Sequence, residues 1–523
     1  MAMDPLTQAL SHPAAYPHPT GVVDVVETHI SRIFLAGPWA YKLKKPVNLG
    51  FLDFSTLEKR KRFCNEELRL NRRLCPEIYQ AVVPVLRSGS EFFLAGSERK
   101  GKVVDYLVKM VRFDRTMELD RMLSKKLLTR ELVDKISQTV SAFHSAIPSA
   151  PENTPFGLPD TIIGPVLANF IHTGEITKDR KEIELLEKLK SWTLREHERL
   201  SPLFLLRKST GFVRQCHGDM HTGNMVLWQG RICIFDCIEF NEVLSMIDVQ
   251  SDLAFLFMDL KHGGEPGLAW RLLNSYLSDT GDYSALPLLG YYTVYRAMVR
   301  AKVTAIRYAQ TMHERPDSRV LEEHRSYIRL ADECSGKRPP ILLITCGFSG
   351  SGKTTVSAEI ASKLECLHIR SDIERKRIAG LGPLDRCREE GALKLYSEGS
   401  NDETYRKLLE ITRISLEEGI PVIADATFLE EEKRALFRKA AEKAGCPFRI
   451  LRFHAPEEVL AERVRKRLKE NRDASDADLA VLRLQLEKGE GFGEEEKSLV
   501  IDIETSHTFD GEAAARKLKT LIS

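Results

Sequence analysis

Two stretches of the chain combine residue types and spacings that can handle phosphate groups. The first, HGDMHTGN, runs from His217 to Asn224, and the second, GFSGSGKTT, runs from Gly347 to Thr355. A carboxylate beside a magnesium ligand can direct a hydroxyl at a phosphate, and a glycine-rich turn can surround phosphate oxygens with backbone N–H groups. Because the two stretches share no pattern, the sequence predicts two separate ATP sites on one polypeptide.

The first stretch supplies the groups that phosphoryl transfer from ATP requires. Such transfer needs a carboxylate that orients the attacking hydroxyl and accepts its proton, and oxygen ligands that hold magnesium. We assign the first role to Asp219 and the second to Asn224. Asp236 follows a short predicted hairpin and is the second candidate magnesium ligand. The alternative is that these residues only form turns and caps, as Asp and Asn often do.

The second stretch has the sequence context of a nucleotide-binding P-loop. The apolar run ILLITC predicts a strand before the glycine-rich turn, and a helical pattern follows it. We expect Lys353 to reach the β and γ phosphates and act in the transfer, and Thr354 to ligate magnesium. The predicted nucleotide-binding residues are Gly347, Ser349, Gly350, Ser351, Gly352, Lys353, Thr354 and Thr355.

A strand-end carboxylate completes this second site. Asp425 ends the predicted strand of PVIADAT and is expected in the outer shell of the metal ion. Ala426 follows it, where a hydrolytic motor usually has Glu to activate water. The sequence therefore favours a kinase over a ring ATPase.

Charged residues around the P-loop are suited to an acceptor. Asp372 and Arg375 in IRSDIERKR lie on neighbouring positions of a helix. We predict that Asp372 accepts the proton of the acceptor hydroxyl while Arg375 binds an anionic group. AERVRKRLKENRDASD offers a basic lid over the phosphates, with Arg463, Arg467 and Arg472. The alternatives are that Asp372 caps a helix and that the arginines form a solvated helix face.

The elements that must position these residues follow from the apolar patterns. Hairpins and one helix from about Thr56 to Leu74, with Thr56 as N-cap, dominate the chain to about residue 112, and helices dominate from 115 to 334. SGKRPP, at 335–340, reads as a linker because its two prolines cannot extend the preceding helix. We expect a loose tail at 1–20, a domain at 21–334 with a small lobe at about 21–112 and a large lobe at about 113–334, and an α/β domain at 341–523.

The first set of residues resembles the aminoglycoside phosphotransferase family, whose members share the protein-kinase-like fold and use an H-G-D-x-H-x-x-N loop followed by Asp at a strand end. The resemblance implies an α+β bilobal domain in which Lys44 binds the ATP phosphates and Glu67 is its helix partner. It also implies that His217 and Asp252 support the catalytic loop.

The identity of the ion pair stays open at this point. Lys42 lies on the same strand face as Lys44, and Glu66 adjoins Glu67. The chain also departs from the protein-kinase pattern. Gly218 replaces the Arg of H-R-D, no D-F-G triplet occurs at Asp236, and no glycine lies between residues 27 and 36, where a phosphate loop is expected.

The second set resembles the small P-loop kinases that include polynucleotide 5'-kinases, gluconate kinase and zeta-type toxins. The shared pieces are Ser371, Asp372, Arg375, Asp425 and Thr427. The whole chain resembles a bacterial fusion of an aminoglycoside-phosphotransferase-like domain with such a kinase. The resemblance implies an α/β P-loop NTPase domain with a parallel sheet, and ATP and Mg²⁺ as cofactors, but no acceptor, because both folds serve many substrates.

Composition narrows the class of protein. The chain has 523 residues, is 43% hydrophobic and carries a formal net charge of +2, which does not indicate a general nucleic-acid or membrane-surface binder. No secretory leader or run of eighteen apolar residues is present. Ten cysteines lack the spacing of a zinc site or a disulfide framework. We therefore expect a cytoplasmic protein without a membrane partner.

Two functions from different classes fit these observations. The first is a tandem ATP-dependent phosphotransferase, with Asp219 and Asp372 as bases acting on small-molecule hydroxyl acceptors. Three arginines near one helix face, Arg296, Arg300 and Arg307, leave an anionic acceptor open against a plain solvated face. In the alternative the N-terminal domain is a nucleotide-binding regulatory module and only the P-loop half is a kinase, with nucleic-acid 5'-hydroxyl ends as a disfavoured acceptor. The sequence leaves the oligomeric state open.

Overall fold

The computed structural model describes residues 4–50, 52–96, 98–177, 179–311, 317–385, 398–470 and 474–506, with Arg516 and Leu518. The chain forms two compact units. One comprises Met1–Leu128, Ala142–Ala168 and Ser201–Leu256, and the other Thr129–Ser141, Asn169–Leu200 and Phe257–Ser523.

The first unit opens with a six-stranded antiparallel sheet. Its strands are β1 (Asp24–Glu27), β2 (Ser31–Ala36), β3 (Trp39–Lys44), β4 (Tyr79–Ser88), β5 (Glu91–Leu94) and β6 (Lys102–Val111), in the order β1-β2-β3-β6-β4-β5. Lys42 and Lys44 share one face of β3 because successive side chains alternate along a strand. The sheet therefore presents both lysines side by side.

Two helices pack on this sheet. α2 (Leu57–Asn71) contacts β4 and β6, and the Thr56 side chain accepts a hydrogen bond from Lys59 N, which confirms the predicted N-cap. α1 (Pro5–Leu10) lies in the segment predicted to be a loose tail. That prediction was wrong for residues 5–16, because Leu10 and Tyr16 are buried in the apolar cluster of the sheet.

The remaining strands of the first unit are short. They are β7 (Val213–Gln215), β8 (Met225–Trp228), β9 (Arg231–Ile234) and β10 (Met246–Asp248). β8 and β9 form the predicted hairpin, and β7 pairs with β10. The described helices between the two large sheets in sequence are α3 (Leu119–Ser124), α4 (Arg130–Ala146), α5 (Pro159–Ile176), α6 (Arg180–Ser209), α7 (Glu242–Ser245), α8 (Val249–His262), α9 (Pro266–Thr280), α10 (Leu289–Thr311) and α11 (Ser318–Ser335).

The second unit contains a five-stranded parallel sheet, as predicted for a P-loop domain. Its strands are β11 (Leu342–Cys346), β12 (Leu367–Arg370), β13 (Val422–Asp425), β14 (Phe448–His454) and β15 (Val500–Glu504), in the order β12-β13-β11-β14-β15. The helices that follow β11 are α12 (Lys353–Leu364), α13 (Ser371–Ile378), α14 (Glu398–Glu417), α15 (Glu431–Ala444), α16 (Glu457–Glu470), α17 (Leu479–Lys488) and α18 (Glu494–Lys497). The carboxyl ends of parallel strands share one edge, so the loops that follow them can build one site there.

Helices upstream of the predicted linker belong to this second unit. α9, α10 and α11 precede residues 335–340 in sequence, yet they are grouped with the parallel sheet. α9 packs against α12 and β12. The division of the chain at 335–340 thus stays a prediction about its domains. Among the described residues, no helix combines the length and the apolar character that crossing a membrane requires.

Candidate functional sites

The HGD loop of the first unit is anchored by Asp252. Its Oδ2 accepts a hydrogen bond from His217 N at 2.9 Å, and its Oδ1 accepts one from Gly218 N at 3.0 Å. Nε2 of His144 lies 3.3 Å from the same Oδ2. Asp252 therefore holds two backbone N–H groups of the loop. His217 adds a second anchor, because its Nε2 lies 2.9 Å from Phe235 O.

The glycine at position 218 has a steric cause. Gly218 adopts φ +87°, and a Cβ there would lie 2.7 Å from Leu244 O. A side chain would meet rigid backbone in a conformation that L residues rarely adopt. This geometry explains why no arginine occupies the middle position of the loop.

The predicted base and magnesium ligands lie together. Asn224 Nδ2 donates to Asp219 Oδ2 at 3.1 Å and to Asp219 O at 2.9 Å. Phe235 N donates to Asn224 O at 2.9 Å, which brings Asp236 next to Asn224. The carboxylates of Asp219 and Asp236 are 36% and 45% exposed, so substrate and metal can reach them. Carboxylate and amide oxygens are ligands that suit Mg²⁺.

Asp236 has an unusual backbone conformation, with φ +68°. Non-glycine residues rarely occupy this left-handed region, and such strain is found mainly at functional sites. The strained turn at the end of β9 directs the carboxylate to the ammonium group of Lys42, which it contacts.

Both lysines of β3 contact the same glutamate. Nζ of Lys44 lies 2.5 Å from Glu67 Oε2, and Nζ of Lys42 lies 2.9 Å from Glu67 Oε1. Glu66 instead pairs with Arg69 on the exposed face of α2. Of the two glutamates, Glu67 is therefore the one that meets the strand lysines.

The two lysines differ in their second partner and in depth. Lys42 contacts Asp236, whereas Lys44, with a side chain only 1% exposed, contacts the buried Glu239. Lys42 is thus the lysine beside the candidate metal ligand, and Lys44, which we predicted to bind the phosphates, lies behind it. Burial alone would raise the pKa of Glu67, but the charges of Lys42 and Lys44 outweigh it and lower that pKa to about 2.

The β1–β2 turn lies where a glycine-rich phosphate loop was expected, and it contains two internal hydrogen bonds. Thr28 N donates to Ser31 O at 2.9 Å, and Ser31 N donates to Thr28 Oγ1 at 2.9 Å. These two amides are therefore engaged within the β1–β2 turn. Phosphate binding in this site would rest on the lysine and the metal ligands.

In the second unit, the P-loop joins β11 to α12. Gly350 adopts φ +83°, and a Cβ there would lie 2.6 Å from Leu460 O, so the loop needs glycine at this position. Lys353 Nζ donates to Gly347 O and Phe348 O, both at 2.8 Å. Burial lowers the pKa of Lys353, although Asp425 and Asp372 nearby oppose this shift. The lysine thus lies folded back on its own loop.

One amide of the P-loop has a side-chain partner. Ser349 N donates to Gln485 Oε1 of α17 at 2.8 Å. Ser349 was predicted to bind nucleotide, and its amide is occupied by this glutamine in the structure. A side chain from a later helix therefore lies where a phosphate oxygen would approach.

Asp425 lies at the end of β13, beside His368 of β12. Its Oδ2 is 3.1 Å from His368 Nε2, and its Oδ1 accepts from Thr345 Oγ1 at 3.3 Å. Burial would raise the pKa of Asp425, but the hydrogen bond with His368 and the charge of Lys353 outweigh it and lower the pKa. The carboxylate is therefore held in its charged form, as a magnesium ligand requires.

The predicted acceptor residues pair with each other. Arg375 donates to Asp372 Oδ1 at 3.0 Å and to Asn401 Oδ1 at 3.2 Å. Arg370 occupies the N-cap position of α13, so Asp372 lies in the first turn and is not the cap. This removes the alternative that Asp372 is only a helix cap.

One cavity of about 760 Å³ unites these groups. Basic side chains outnumber acidic ones among its lining residues, which favours anionic ligands. The predicted residues that line it are Ser349, Gly350, Ser351, Gly352, Lys353, Thr354, Thr355, Ser371, Asp372, Arg375, Asp425, Thr427, Arg463 and Arg467.

The lid arginines are held by backbone carbonyls. Arg463 donates to Thr505 O at 2.5 Å and to Gly350 O at 3.4 Å, and Arg467 donates to Ala477 O at 2.7 Å. Arg472 lies outside the described residues. The two described arginines therefore border the cavity, and their role towards nucleotide stays a prediction.

Two arginines on the basic face of α10 contact α11. Arg300 donates to Tyr327 Oη at 3.4 Å and Arg307 lies 3.5 Å from Glu323, both on α11, while Arg296 is buried. These contacts join α10 to α11. They account for the spacing of the arginines without a ligand.

Sequence reasoning missed three residues that contact the sites. They are Glu239, His368 and Gln485. Glu239 follows Asp236 by three residues, and this nearby carboxylate was the only signal for it. The other two reach their sites through contacts between distant parts of the sequence, which no local pattern reveals.

Comparison with known proteins finds relatives of the second half of the chain. Residues 342–491 match the family model described as the AAA domain. An adenylyl-sulfate kinase of Myxococcus xanthus is 30% identical over 133 residues, which cover 24% of this chain and 65% of that protein. A shikimate kinase of Neisseria gonorrhoeae is 33% identical over 124 residues, 24% of this chain and 64% of that protein. These similarities confirm the predicted P-loop domain and its enzyme class, an ATP-dependent kinase.

A longer match covers most of the chain. An uncharacterized protein of Mycobacterium tuberculosis is 29% identical over 462 residues, 87% of this chain and 88% of that protein. Among solved structures, a choline kinase from Cryptosporidium parvum covers 60% of this chain and 89% of its own, with a TM-score of 0.37 and 12% identity. A gluconokinase from Sinorhizobium meliloti covers 35% of this chain and 95% of its own, with a TM-score of 0.25 and 20% identity. The chain is thus similar over most of its length to the mycobacterial protein, and residues 342–491 match the AAA domain model.

Proposed function

We propose that the chain is a tandem ATP-dependent phosphotransferase, in which each site transfers the γ-phosphoryl group of ATP to a hydroxyl of a small molecule. The observation that carries the proposal is the cavity of the P-loop site, in which Lys353, Asp425, Asp372 and Arg375 lie together. A phosphate-binding lysine, a metal-binding carboxylate, a base and an anion-binding guanidinium are the parts that such a transfer needs.

In the P-loop site, each residue has a distinct role. The loop amides and Lys353 hold the ATP phosphates, and Thr354 and Asp425 hold magnesium, which neutralises charge on the phosphates when bound. Asp372 orients the acceptor hydroxyl and takes its proton as the new O–P bond forms and the bond to the ADP oxygen breaks. Arg375 binds the acceptor.

The lining of this cavity favours an acceptor that carries an anionic group. Basic side chains outnumber acidic ones among its lining residues, which favours anionic ligands. Two relatives are named for adenylyl sulfate and shikimate, which are small anionic molecules. We therefore propose a small anionic alcohol as the acceptor class.

In the first site, Asp219 is the proposed base, Asn224 and Asp236 the metal ligands, and Lys42 the phosphate-binding residue. The short distances among Asp219, Asn224 and Phe235 support this assignment. A second candidate function is favoured by the β1–β2 turn, in which the amides of Thr28 and Ser31 donate to Ser31 O and Thr28 Oγ1. In that alternative the first unit binds nucleotide as a regulator and only the P-loop half transfers phosphate.

Calorimetric titration of the intact chain with Mg-ATP tests the proposal. Two binding sites are expected, with Lys353→Ala losing one and Asp236→Ala the other. Transfer of labelled phosphate to a panel of anionic alcohols then assigns the acceptors, with 5'-hydroxyl oligonucleotides included to test nucleic-acid ends. Two sites with phosphate transfer abolished by Lys353→Ala but unchanged by Asp219→Ala would support the regulatory alternative, whereas one site, lost only in Lys353→Ala, would contradict nucleotide binding by the first unit. The proposed compartment is the cytoplasm, which suits the nine described cysteines, none of which forms a disulfide with another described cysteine.

A further inference from the structure

Helix α9 takes the place of a neighbouring strand at the edge of the parallel sheet. β12 is the outermost strand on its side of that sheet. The side chain of Asn274 accepts a hydrogen bond from His368 N at 2.9 Å and donates one to Cys366 O at 3.0 Å. One amide side chain thus fills a donor and an acceptor that a strand would otherwise fill.

This edge contact is one residue away from the P-loop site. Asn274 fixes the backbone of His368, and the ring of His368 lies 3.1 Å from Oδ2 of Asp425. Asp425 is the proposed metal ligand. A continuous chain of hydrogen bonds therefore runs from α9 through His368 to the metal-binding carboxylate.

A second contact holds the helix that carries the proposed acceptor residues. Arg377 of α13 donates to Ser278 O of α9 at 2.5 Å. Gly281, which ends α9 with φ +72°, lets the arginine approach, since a Cβ there would lie 2.5 Å from Arg377 Nε. Asp372 and Arg375 lie on this same short helix. Its position therefore depends on the end of α9.

A third contact reaches the helix that begins at Lys353. Ser362 Oγ of α12 donates to Gly267 O at 2.9 Å, and a Cβ at Gly267 would lie 2.8 Å from that same Oγ. Close approach here needs glycine. α9 thus contacts the three elements β12, α12 and α13, which carry or support the phosphate, metal and acceptor groups.

We propose that α9 positions the P-loop transfer site, and that Asn274 is a positioning residue which acts through His368 on Asp425. The inference rests on the proposed function of the P-loop half and extends it, because it makes that site depend on a helix upstream of the predicted linker. Removing a group that hydrogen-bonds to a metal ligand and orients it typically lowers metal affinity or activity by about 10–100-fold.

The test uses the full chain with Asp236→Ala, so that only the P-loop site binds Mg-ATP. Adding Asn274→Ala should weaken Mg-ATP binding about 10–100-fold and shift the side-chain NMR resonances of His368. His368→Gln should weaken binding to a similar extent. The variant that combines Asn274→Ala with His368→Gln should bind Mg-ATP little more weakly than either single variant, because both residues act through Asp425.

Ser275→Ala, on the next position of α9, is the matched control and should bind Mg-ATP as the parent does. Asn274→Asp offers a second variant in case the alanine variant does not fold, since aspartate keeps the acceptor for His368 N but cannot donate to Cys366 O. Unchanged binding and unchanged His368 resonances in both Asn274 variants would overturn the inference. Failure of the parent to bind Mg-ATP would instead refute the proposed function, and the His368 resonances would still test the path.

Discussion

The side-chain oxygen of Gln485 and the backbone N–H of Ser349 form a 2.8 Å hydrogen bond at the mouth of the P-loop. The two residues lie 136 positions apart in sequence. A nucleotide phosphate that binds at this amide must first displace the glutamine. We therefore expect the contact to oppose ATP binding.

Replacing Gln485 should thus tighten ATP binding at the P-loop site. A hydrogen bond of this kind contributes about 0.5–1.5 kcal/mol, so Gln485→Ala should raise the affinity for Mg-ATP roughly two- to tenfold. Calorimetry in the Asp236→Ala background measures it. Gln485→Met, of similar size, separates the loss of the acceptor from the loss of bulk. Affinities that stay at the parent value in both variants would contradict this role.

The two lysines of β3 should fail in different ways when replaced. Lys44→Met leaves Glu239 and part of Glu67 as buried, unpaired carboxylates, and breaking such a buried pair costs about 3–5 kcal/mol of stability. Lys42→Met loses contact with the exposed Asp236 and with Glu67, but Glu67 keeps Lys44 as a partner. We therefore expect a smaller loss of stability but loss of Mg-ATP binding in the first site. Denaturant unfolding and calorimetry on both variants check this. Equal loss of stability with intact ATP binding would contradict the division of roles.

The P-loop should tolerate no side chain at position 350. Gly350→Ala places a Cβ against Leu460 O in a left-handed conformation, so Mg-ATP binding at the P-loop site should be lost. The stoichiometry should drop from two to one in the otherwise intact chain. Gly399→Ala, in α14, is the control because no heavy atom lies within 4 Å of a Cβ there. A loss of both sites in Gly350→Ala would indicate that the two sites are coupled.

Glu374 should make stability depend on pH. It lies almost fully buried on α13, and burial raises its pKa even though Arg377 and a hydrogen bond from Tyr283 oppose the shift. The charged form is therefore disfavoured in the folded chain, and its cost to stability is absent below the unfolded pKa and grows as pH rises above it. Glu374→Gln should raise the unfolding temperature at pH 7.5 and have little effect near pH 4. Scanning calorimetry at both values tests this, and a gain only at pH 4 would contradict it.

The local patterns of the sequence predicted most elements. The predicted strands ILLITC and PVIADAT contain β11 and β13 of the parallel sheet, because short apolar runs are strand signals. β15, with the sequence VIDIE in which apolar and acidic residues alternate after Val500, was not predicted. α1 was also missed, because prolines and histidines around it concealed two apolar residues that are buried on the sheet.

The candidate sites were predictable where one short motif holds the parts. The HGD loop and the P-loop are such motifs, and their residues lie together. The choice between Lys42 and Lys44 was not predictable, because both face the same side of β3 and only Asp236 and Glu239 distinguish them. His368 and Gln485 depend on packing between distant segments, which alternation and helical spacing do not report.

The hydrogen bonds of Asn274 also bear on self-association. An uncovered edge strand exposes rows of N–H and C=O groups that invite pairing with another chain. On β12, Asn274 occupies the N–H of His368 and the C=O of Cys366. A fragment that starts at residue 341 would expose this edge to its own copies and tend to aggregate. The upstream helix therefore covers the β12 edge of the parallel sheet against pairing with a second copy.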